Sequence, residues 1–337
     1  MIIVLKTEAT KEDADEILAE IELRGLKPLY MPGVERIVLG ALGDERKLSD
    51  LNFKAYPAVD EVKPILTSYK LVSRDFQSHD TVIKIGNVEI GGGKVTLMAG
   101  PCSVESVEQV DLAAAAVKDA RGSILRGGAF KPRTSPYAFQ GMGEQGLKIL
   151  KGAGEKYDLP VITEVMNISD VEMVESYADI LQIGARNMQN YGLLKAVGNQ
   201  SKPVMLKRGP SATLEELLLA AEYIVAEGNN QVMLCERGIR TYENAYRNTL
   251  DLNAVAYLKQ KTHLPVIVDP SHGTGINSLV APLTLAAVAV GADGLIIEVH
   301  PEPKKALSDA QQQLTPVEIK RLSKKIEAVA KAVGGSF

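Results

Sequence analysis

A short basic turn follows an apolar stretch in the segment GAFKPRTSPYAFQG, residues 128–141. Lys131 and Arg133 flank Pro132 there, in a chain whose formal net charge is −4. The planar guanidinium of arginine and the ammonium of lysine both suit phosphate and carboxylate groups. The segment therefore predicts a local anion site, while the acidic net charge argues against a general nucleic-acid or anionic-membrane binder.

Further cations follow other apolar runs of the chain. They are Arg126, Arg186, Lys207, Arg208, Arg237 and Arg240. Taken singly, each could be a solvated or ion-paired side chain. If the fold brought them to one cavity, their mutual repulsion would require an anionic occupant. A phosphate carries roughly −1.5 to −2 charges near neutral pH, so this many cations predict more than one anionic group. Two phosphates and a carboxylate would match.

A thiol, an imidazole and two carboxylates form a second candidate set. Its members are Cys102, His272, Glu298 and Asp309. No local spacing motif joins them, so the set depends on a fold that brings distant segments together. Mixed sulfur, nitrogen and oxygen ligands suit a divalent metal such as Mn²⁺, Fe²⁺, Zn²⁺ or Co²⁺. The structural alternative is that a buried free cysteine is only a small apolar residue, which we expect of Cys235.

Eight apolar runs, each followed by a segment that can form a helix, must position these residues. The runs are VTLMAGPC, SILRGGA, PVITEV, DILQIGA, PVMLKRG, QVMLCERG, LPVIVDPSH and GLIIEVH. Continuous apolar strands that alternate with helices are typical of a parallel sheet covered by helices. Eight such units predict an α/β fold, a (β/α)₈ TIM barrel, with an open doubly wound sheet as the alternative. In a barrel both candidate sets would meet at the C-terminal ends of the strands.

The N-terminal part has a different order of elements. The pattern predicts six elements in the order βαββαβ. The strands lie in IIVLK, KPLYM, ERIVLGAL and VDEVKPIL, one helix starts at Thr10 and ends before Gly25, and a weaker helix covers 44–54. That order is ferredoxin-like, and Gly86-Asn87 predicts a β-hairpin. We therefore predict three parts, which are a ferredoxin-like domain at 1–66, a connector with a hairpin at 67–94 and a barrel at 95–337.

Composition narrows the cellular setting. Two cysteines in 337 residues indicate no disulfide framework, so we expect a cytoplasmic protein. The start, MIIVLKTEATKEDADE, becomes acidic too soon for a signal peptide. The longest apolar stretch is interrupted by Pro282 and Gly291, so we expect no membrane span.

One short motif would instead indicate a dinucleotide-binding site. GMGEQG, residues 141–146, fits the dinucleotide pattern G-x-G-x-x-G, and Glu164 lies close to 20 residues further on. Because a long loop separates these glycines from the preceding strand, a loop and helix start is the better interpretation.

The motifs resemble those of 3-deoxy-D-arabino-heptulosonate 7-phosphate (DAHP) synthase. The similar segments are AGPCS, LRGGAFKPRTSPYAFQG, QIGARNMQN, LKRG, CERGIRTYE, DPSH and EVHP. The resemblance covers residues 70–337 in order. The N-terminal strands are similar to the subtype with a ferredoxin-like regulatory domain rather than the one with a helical chorismate mutase domain.

The resemblance implies a condensation of phosphoenolpyruvate with erythrose 4-phosphate and water, with release of phosphate, which is the first step of the shikimate pathway. It implies phosphoenolpyruvate contacts from Arg126, Lys131, Ala185, Arg186, Lys207 and Arg237. It implies sugar-phosphate contacts from Lys131, Pro132, Arg133, Thr134 and Ser135, and a further substrate-binding residue, Asp269. It implies metal binding by Cys102, His272, Glu298 and Asp309, with Lys131, Cys102 and His272 as the catalytic residues.

Regulation and assembly follow from the same resemblance. It implies a tyrosine or phenylalanine effector at residues 1–66, for which a purely structural role is the alternative, and a homo-oligomer, with a tetramer favoured. The acidic net charge predicts neither nucleic acid nor membrane as a partner. Two alternatives remain open. One is 3-deoxy-octulosonate 8-phosphate synthase, which uses arabinose 5-phosphate and whose members carry an asparagine-containing sequence at the position of Pro132-Arg133-Thr134. The other is a barrel that binds phosphorylated metabolites without catalysis.

Overall fold

The computed structural model describes residues 1–33, 36–48, 50–63, 67–131, 135 and 137–337. The chain forms two compact units, Met1–Phe76 and Gln77–Phe337. The predicted domain limits at residues 66 and 94 stay predictions. Within the described part of the chain, no helix is long and apolar enough to span a bilayer.

The first unit contains an antiparallel sheet and one α-helix. Its elements are β1 (Ile2–Leu5), α1 (Lys11–Leu23), β2 (Lys27–Pro32), β3 (Ile37–Leu42) and β4 (Val59–Lys63). The strand order is β2-β3-β1-β4, and a buried cluster joins the helix to the sheet. Thr10 begins α1 with a capping box to Asp13, which satisfies two backbone donors of the first turn. The ferredoxin-like prediction is confirmed.

The weaker helix predicted at 44–54 is wrong. In its place are two 3₁₀ turns, Glu45–Leu48 and Phe53–Ala55. Leu48 and Phe53 are both buried in the same core cluster. A continuous α-helix would turn residues five apart to faces about 140° apart, so two short turns let both side chains reach the core.

The second unit begins with a hairpin, β5 (Ile83–Ile85) and β6 (Val88–Ile90), on either side of the predicted Gly86-Asn87 turn. Eight parallel strands then close a barrel in the order β10-β11-β12-β13-β14-β7-β8-β9. They are β7 (Thr96–Gly100), β8 (Ile124–Arg126), β9 (Val161–Val165), β10 (Ile180–Ile183), β11 (Val204–Lys207), β12 (Val232–Glu236), β13 (Val266–Val268) and β14 (Gly294–Glu298). The TIM barrel is confirmed, and the open sheet is excluded.

Nine helices of this unit lie among the described residues. They are α2 (Val107–Asp119), α3 (Glu144–Tyr157), α4 (Val171–Tyr177), α5 (Tyr191–Gly198), α6 (Leu214–Ala226), α7 (Leu252–Lys261), α8 (Pro270–Thr274), α9 (Asn277–Ala289) and α10 (Pro316–Ala332). Gly143 precedes α3 as its N-terminal cap residue, so the GMGEQG segment is a loop and helix start, as predicted.

The interior of the barrel is filled from its N-terminal end. Each strand contributes a buried side chain to one cluster, and Ile83 and Ile90 of the hairpin join it. Cys235 also belongs to this cluster, which confirms its expected role as a small apolar residue. Because this end is packed, the open space of the barrel lies at the opposite end, where the polar strand-end residues are.

Candidate functional site

A cavity of about 400 Å³ lies at the C-terminal ends of the strands. Its described lining includes seven cationic side chains, which are Arg126, Lys131, Arg186, Lys207, Arg237, Arg240 and Arg247. Carboxylates are fewer, since only Glu164 and Asp309 appear among the described lining residues. The cavity thus has the positive balance that the strand-end cations predicted, and an anionic occupant would relieve their repulsion.

Arg126 ends β8 and presents donors to the cavity. Its Nη1 donates to the Pro101 carbonyl oxygen at 2.8 Å and to Glu298 Oε1 at 3.1 Å. Its Nε is buried and has no hydrogen-bond partner among the described residues. Buried donors in native structures are almost always paired, so this N–H is suited to an anion bound in the cavity.

Arg237, directly after β12, has only a weak hydrogen bond among the described residues. Its side chain is buried, with a residue exposure of 8%, and its hydrogen bond within the described chain runs from Nη1 to the Gly238 carbonyl oxygen at 3.4 Å. Burial lowers the pKa of this guanidinium from its ordinary value. A buried charge with so weak a partner is expensive, and a bound phosphate or carboxylate would offset that expense.

Lys207 and His272 share a buried carboxylate. Asp269 Oδ2 accepts from Lys207 Nζ at 2.5 Å and lies 2.8 Å from His272 Nδ1. Asp269 Oδ1 also accepts the backbone N–H of His272 at 2.9 Å, at the start of α8. Burial alone would raise the pKa of Asp269, but His272 and Lys207 hold it well below its ordinary value. Asp269 therefore orients one cavity cation and one candidate metal ligand.

The candidate metal ligands come together beside the cavity. One ligand atom from each of Cys102, Glu298 and Asp309 lies within 4.8 Å of the other two. His272 Nε2 lies 3.4 Å from Glu298 Oε1 and 3.9 Å from Asp309 Oδ2. The barrel therefore brings Cys102, Glu298 and Asp309 together, with His272 beside the two carboxylates, although these residues are up to 207 positions apart in the chain.

The protonation states of His272 and Asp309 suit a cation, whereas that of Cys102 would have to change on metal binding. Burial lowers the pKa of His272 despite Asp269 and Glu298, which favours the neutral imidazole. Burial opposes ionisation of Asp309, but Arg247 and His272 outweigh it and lower its pKa to about 2. For Cys102, burial and then Glu298 raise the thiol pKa to about 12, so metal binding would have to displace the thiol proton.

The surroundings of the ligands complete the fit to a divalent metal. Nδ1 of His272 is held by Asp269, which leaves Nε2 for the metal, and Glu298 Oε2 accepts from Gln312 Nε2 at 2.7 Å. Hydrogen bonds of this kind orient metal ligands in proteins generally. A neutral imidazole, two carboxylates and a potential thiolate form a donor set that borderline divalent metals accept.

Lys131 stands between the metal ligands and the cavity. Its Nζ donates to the Cys102 carbonyl oxygen at 3.0 Å and approaches Cys102 Sγ at 3.2 Å. Gly128 makes this approach possible, because a Cβ there would lie 2.9 Å from both the Cys102 carbonyl oxygen and the Lys131 Cδ. An ammonium at this position can reach a substrate that contacts both the metal and the cations.

The predicted substrate-binding residues do not all appear in the described lining of the cavity. Pro132, Arg133 and Thr134 lie outside the described residues, so their predicted contacts stay predictions. Ser135 is exposed and Asp269 is buried; neither is among the described lining residues. Ala185 does line the cavity.

Arg208, expected at the rim, points elsewhere. Its Nη1 donates to Glu236 Oε2 at 2.8 Å and to Asp251 Oδ2 at 3.2 Å. Successive strand residues face opposite sides of a sheet, so Lys207 and Arg208 cannot both point into the barrel.

Sequence reasoning missed Arg247, Asn248 and Gln182, which line the cavity. Arg247 Nη1 donates to Asp309 Oδ2 at 3.2 Å and to Gln312 Oε1 at 2.9 Å. The available signal was its position in the long segment between β12 and α7, which a barrel places at the rim. Gln182 lies in β10 two residues after the buried Ile180, so strand alternation would have found it.

Comparison with known proteins identifies the two units. Residues 75–334 match the DAHP synthetase I family, and residues 1–67 match the DAHP synthase ferredoxin-like domain. The chain is 50% identical to phospho-2-dehydro-3-deoxyheptonate aldolase of Thermotoga maritima over 334 residues, 99% of each chain. It is 32% identical to 2-dehydro-3-deoxyphosphooctonate aldolase of Syntrophotalea carbinolica over 274 residues, 75% of this chain and 98% of the relative.

Two solved structures from the same family of enzymes are similar to this chain. The Thermotoga maritima DAHP synthase crystal structure has a TM-score of 0.79 and 48% identity, and covers 99% of this chain and 98% of its own. A truncated form of that enzyme has a TM-score of 0.75 and 50% identity, and covers 79% of this chain and 98% of its own. The fold, the converging site residues and these matches lead to one assignment, which is that the chain belongs to the DAHP synthetase I family.

Proposed function

We propose that this chain condenses phosphoenolpyruvate with erythrose 4-phosphate and water to give DAHP and inorganic phosphate. One observation carries the proposal, namely a cavity with seven described cations that adjoins a convergent set of four metal-ligand side chains. Two phosphates and one carboxylate, the anionic groups of this substrate pair, match that charge. The family and the relative at 50% identity support it.

The choice of sugar rests on the comparisons and on one segment. The octulosonate enzyme that matches the barrel is 32% identical, whereas the heptulosonate enzyme is 50% identical over the whole chain. The segment Lys131-Pro132-Arg133-Thr134 also lacks the asparagine-containing sequence expected of arabinose 5-phosphate enzymes. Both points favour the four-carbon sugar.

The cations would hold phosphoenolpyruvate in a fixed orientation. Arg126 and Arg237 supply buried, poorly satisfied donors, and Lys207 is held in place by Asp269. Guanidinium groups bind phosphate and carboxylate in a planar, paired geometry. Fixing the enol in this way brings its CH₂ carbon toward the second substrate and lowers the entropic part of the barrier.

Cys102, His272, Glu298 and Asp309 would hold the divalent metal, which would supply Lewis-acid polarisation of the aldehyde oxygen of erythrose 4-phosphate. Lys131 is the proton donor in this scheme. Its Nζ lies 3.2 Å from Cys102 Sγ, so an aldehyde oxygen polarised beside that ligand would be within its reach, and Lys131 would donate a proton to it as the carbon–carbon bond forms.

The atoms balance as follows. The CH₂ carbon of phosphoenolpyruvate bonds to C1 of the sugar, and the aldehyde oxygen takes the Lys131 proton. Water then adds to the cationic C2 and loses one proton, which restores the Lys131 ammonium. The bond between C2 and the bridging oxygen breaks, inorganic phosphate leaves with that oxygen and with the proton of the new C2 hydroxyl group, and C2 becomes the ketone carbon.

A phosphate-release assay with two aldoses tests the proposal. With phosphoenolpyruvate and a divalent metal, we expect rapid release with erythrose 4-phosphate, little with arabinose 5-phosphate, and none after chelation. Faster turnover of arabinose 5-phosphate would assign the octulosonate reaction, and no turnover of either sugar would favour a non-catalytic binding barrel.

We also propose that residues 1–66 bind tyrosine or phenylalanine as an effector in a homo-oligomer, for which a tetramer is favoured. The match of residues 1–67 to the DAHP synthase ferredoxin-like domain supports this. An effector must bind one arrangement better than another, since equal affinity shifts no equilibrium. Deleting 1–66 should leave an active barrel whose rate ignores both amino acids. Inhibition that persists after deletion would place the effector on the barrel.

A further inference from the structure

Glu105, in the loop between β7 and α2, contacts two segments that carry candidate metal ligands. Its Oε1 accepts a hydrogen bond from Ser103 Oγ at 2.9 Å and another from the backbone N–H of Leu307 at 2.9 Å. Ser103 follows Cys102 directly, and Leu307 precedes Asp309 by two residues. One carboxylate oxygen therefore ties the thiol-bearing loop to the loop that supplies a carboxylate ligand.

The second oxygen of Glu105 faces a third ligand-bearing segment. Oε2 lies 3.5 Å from His300 Nε2, two residues after Glu298. The ring nitrogen Nδ1 of His300 accepts the N–H of Glu302 at 2.9 Å, so Nε2 must carry a proton. Nε2 is buried without a hydrogen-bond partner in the described part of the chain, and Glu105 Oε2 is the acceptor that a small approach would provide.

The segment that Glu105 holds needs such support. Asp309 adopts a left-handed backbone conformation with φ of 50°, which a residue other than glycine keeps only when its surroundings impose it. The preceding Ser308 places its Oγ 3.0 Å from Cys102 Sγ. In this loop, Leu307 thus contacts Glu105, Ser308 contacts Cys102, and Asp309 supplies a candidate ligand. Because the three residues are consecutive, a shift at Leu307 would move Asp309.

We propose that Glu105 is a positioning residue for the metal site, one that fixes the distance between Cys102 and Asp309 without binding the metal itself. The inference rests on the proposed metal-dependent function. Outer groups that orient metal ligands typically change metal affinity by roughly 10- to 100-fold when they are removed.

Cobalt binding to the purified full-length chain tests this role directly. Co²⁺ affinity is measured by competition with a chromogenic chelator, and the thiolate-to-cobalt charge-transfer absorption reports the bond to Cys102. We expect Glu105→Ala to bind Co²⁺ roughly 10- to 100-fold more weakly, with a weaker charge-transfer band. Glu105→Gln should fall between it and the parent, because the amide oxygen can still accept from Leu307.

Glu175 offers a matched control. Its Oε1 accepts the backbone N–H of Ser201 at 3.1 Å and the Ser201 Oγ–H at 3.0 Å, so it also holds a loop, but at the N-terminal end of the barrel. Glu175→Ala should bind Co²⁺ like the parent.

The outcomes distinguish the positioning role of Glu105 from the existence of the metal site. Parent-like cobalt affinity and absorption in Glu105→Ala would overturn the positioning role, and if that variant does not fold, parent-like binding by Glu105→Gln would overturn it instead. A parent chain that binds no Co²⁺ would refute the metal site itself.

Discussion

Replacing Arg237 by glutamine should separate ligand binding from fold stability. This guanidinium is buried, and its hydrogen bond within the described chain is a long one, 3.4 Å, to the Gly238 carbonyl oxygen. Its removal therefore takes away little that holds the ligand-free fold together. It also removes the expense of a poorly paired buried charge. We expect the free energy of unfolding of the ligand-free variant to be unchanged or higher.

The affinity of Arg237→Gln for phosphoenolpyruvate should, in contrast, be lower than that of the parent. Hydrogen bonds to charged groups contribute about 1.5–3 kcal/mol, which corresponds to roughly 10- to 150-fold in Kd. Calorimetric titration of the metal-loaded protein with phosphoenolpyruvate, without the sugar, measures this loss in the absence of turnover. Urea unfolding of the ligand-free protein measures the stability.

Arg208 provides the matched control for this experiment. It is another buried arginine, but its Nη1 pairs with Glu236 at 2.8 Å and with Asp251 at 3.2 Å. Arg208→Gln leaves Glu236 buried without its cation, so we expect it to lower the free energy of unfolding by about 3–5 kcal/mol. If Arg237→Gln instead lost stability while its phosphoenolpyruvate affinity stayed within twofold of the parent, the anion-site argument would be refuted.

Three further results are expected. Asp269→Asn should weaken Co²⁺ binding by roughly 10- to 100-fold, because His272 Nδ1 loses its carboxylate; parent-like affinity in a chelator competition would contradict this. Burial raises the pKa of the Cys102 thiol to about 12 and lowers the pKa of His272, so metal binding should release one proton, from the thiol. The affinity for Co²⁺ should therefore rise up to about tenfold per pH unit between pH 7 and 9. Cys102→Ala should abolish that slope, and a slope that persists in this variant would assign the proton to another group. Gly128→Val should reduce turnover, since its Cβ would lie 2.9 Å from Lys131 Cδ; unchanged turnover would argue against the role of Lys131.

The barrel and the positions of its strand ends could be predicted from the sequence because apolar runs and helical segments alternate in regular order. That order brought Cys102, His272, Glu298 and Asp309 together without any local motif. What strand ends do not reveal is the direction of each side chain. Lys207 and Arg208 are neighbours in the chain, yet one lines the cavity and the other is ion-paired outside it.

Loop conformations were harder to predict. Arg247 reaches the cavity from a long loop whose two ends are held by the buried Glu236, because its Oε1 accepts the backbone N–H groups of Gly238 and Asp251. Glu105 acts through backbone contacts with Leu307, 202 residues away. No pattern of residue types marks such a contact, because the acceptor is a side chain and the donor is an ordinary peptide group.

An isotope experiment tests the central claim most directly. The metal-loaded protein is incubated with erythrose 4-phosphate and with phosphoenolpyruvate that carries ¹⁸O in the bridging position between C2 and phosphorus. The account predicts one DAHP per phosphate released, with the label in the phosphate, because water attacks C2 and the C2–O bond breaks. Label retained in the organic product, or phosphate released without DAHP, would contradict it.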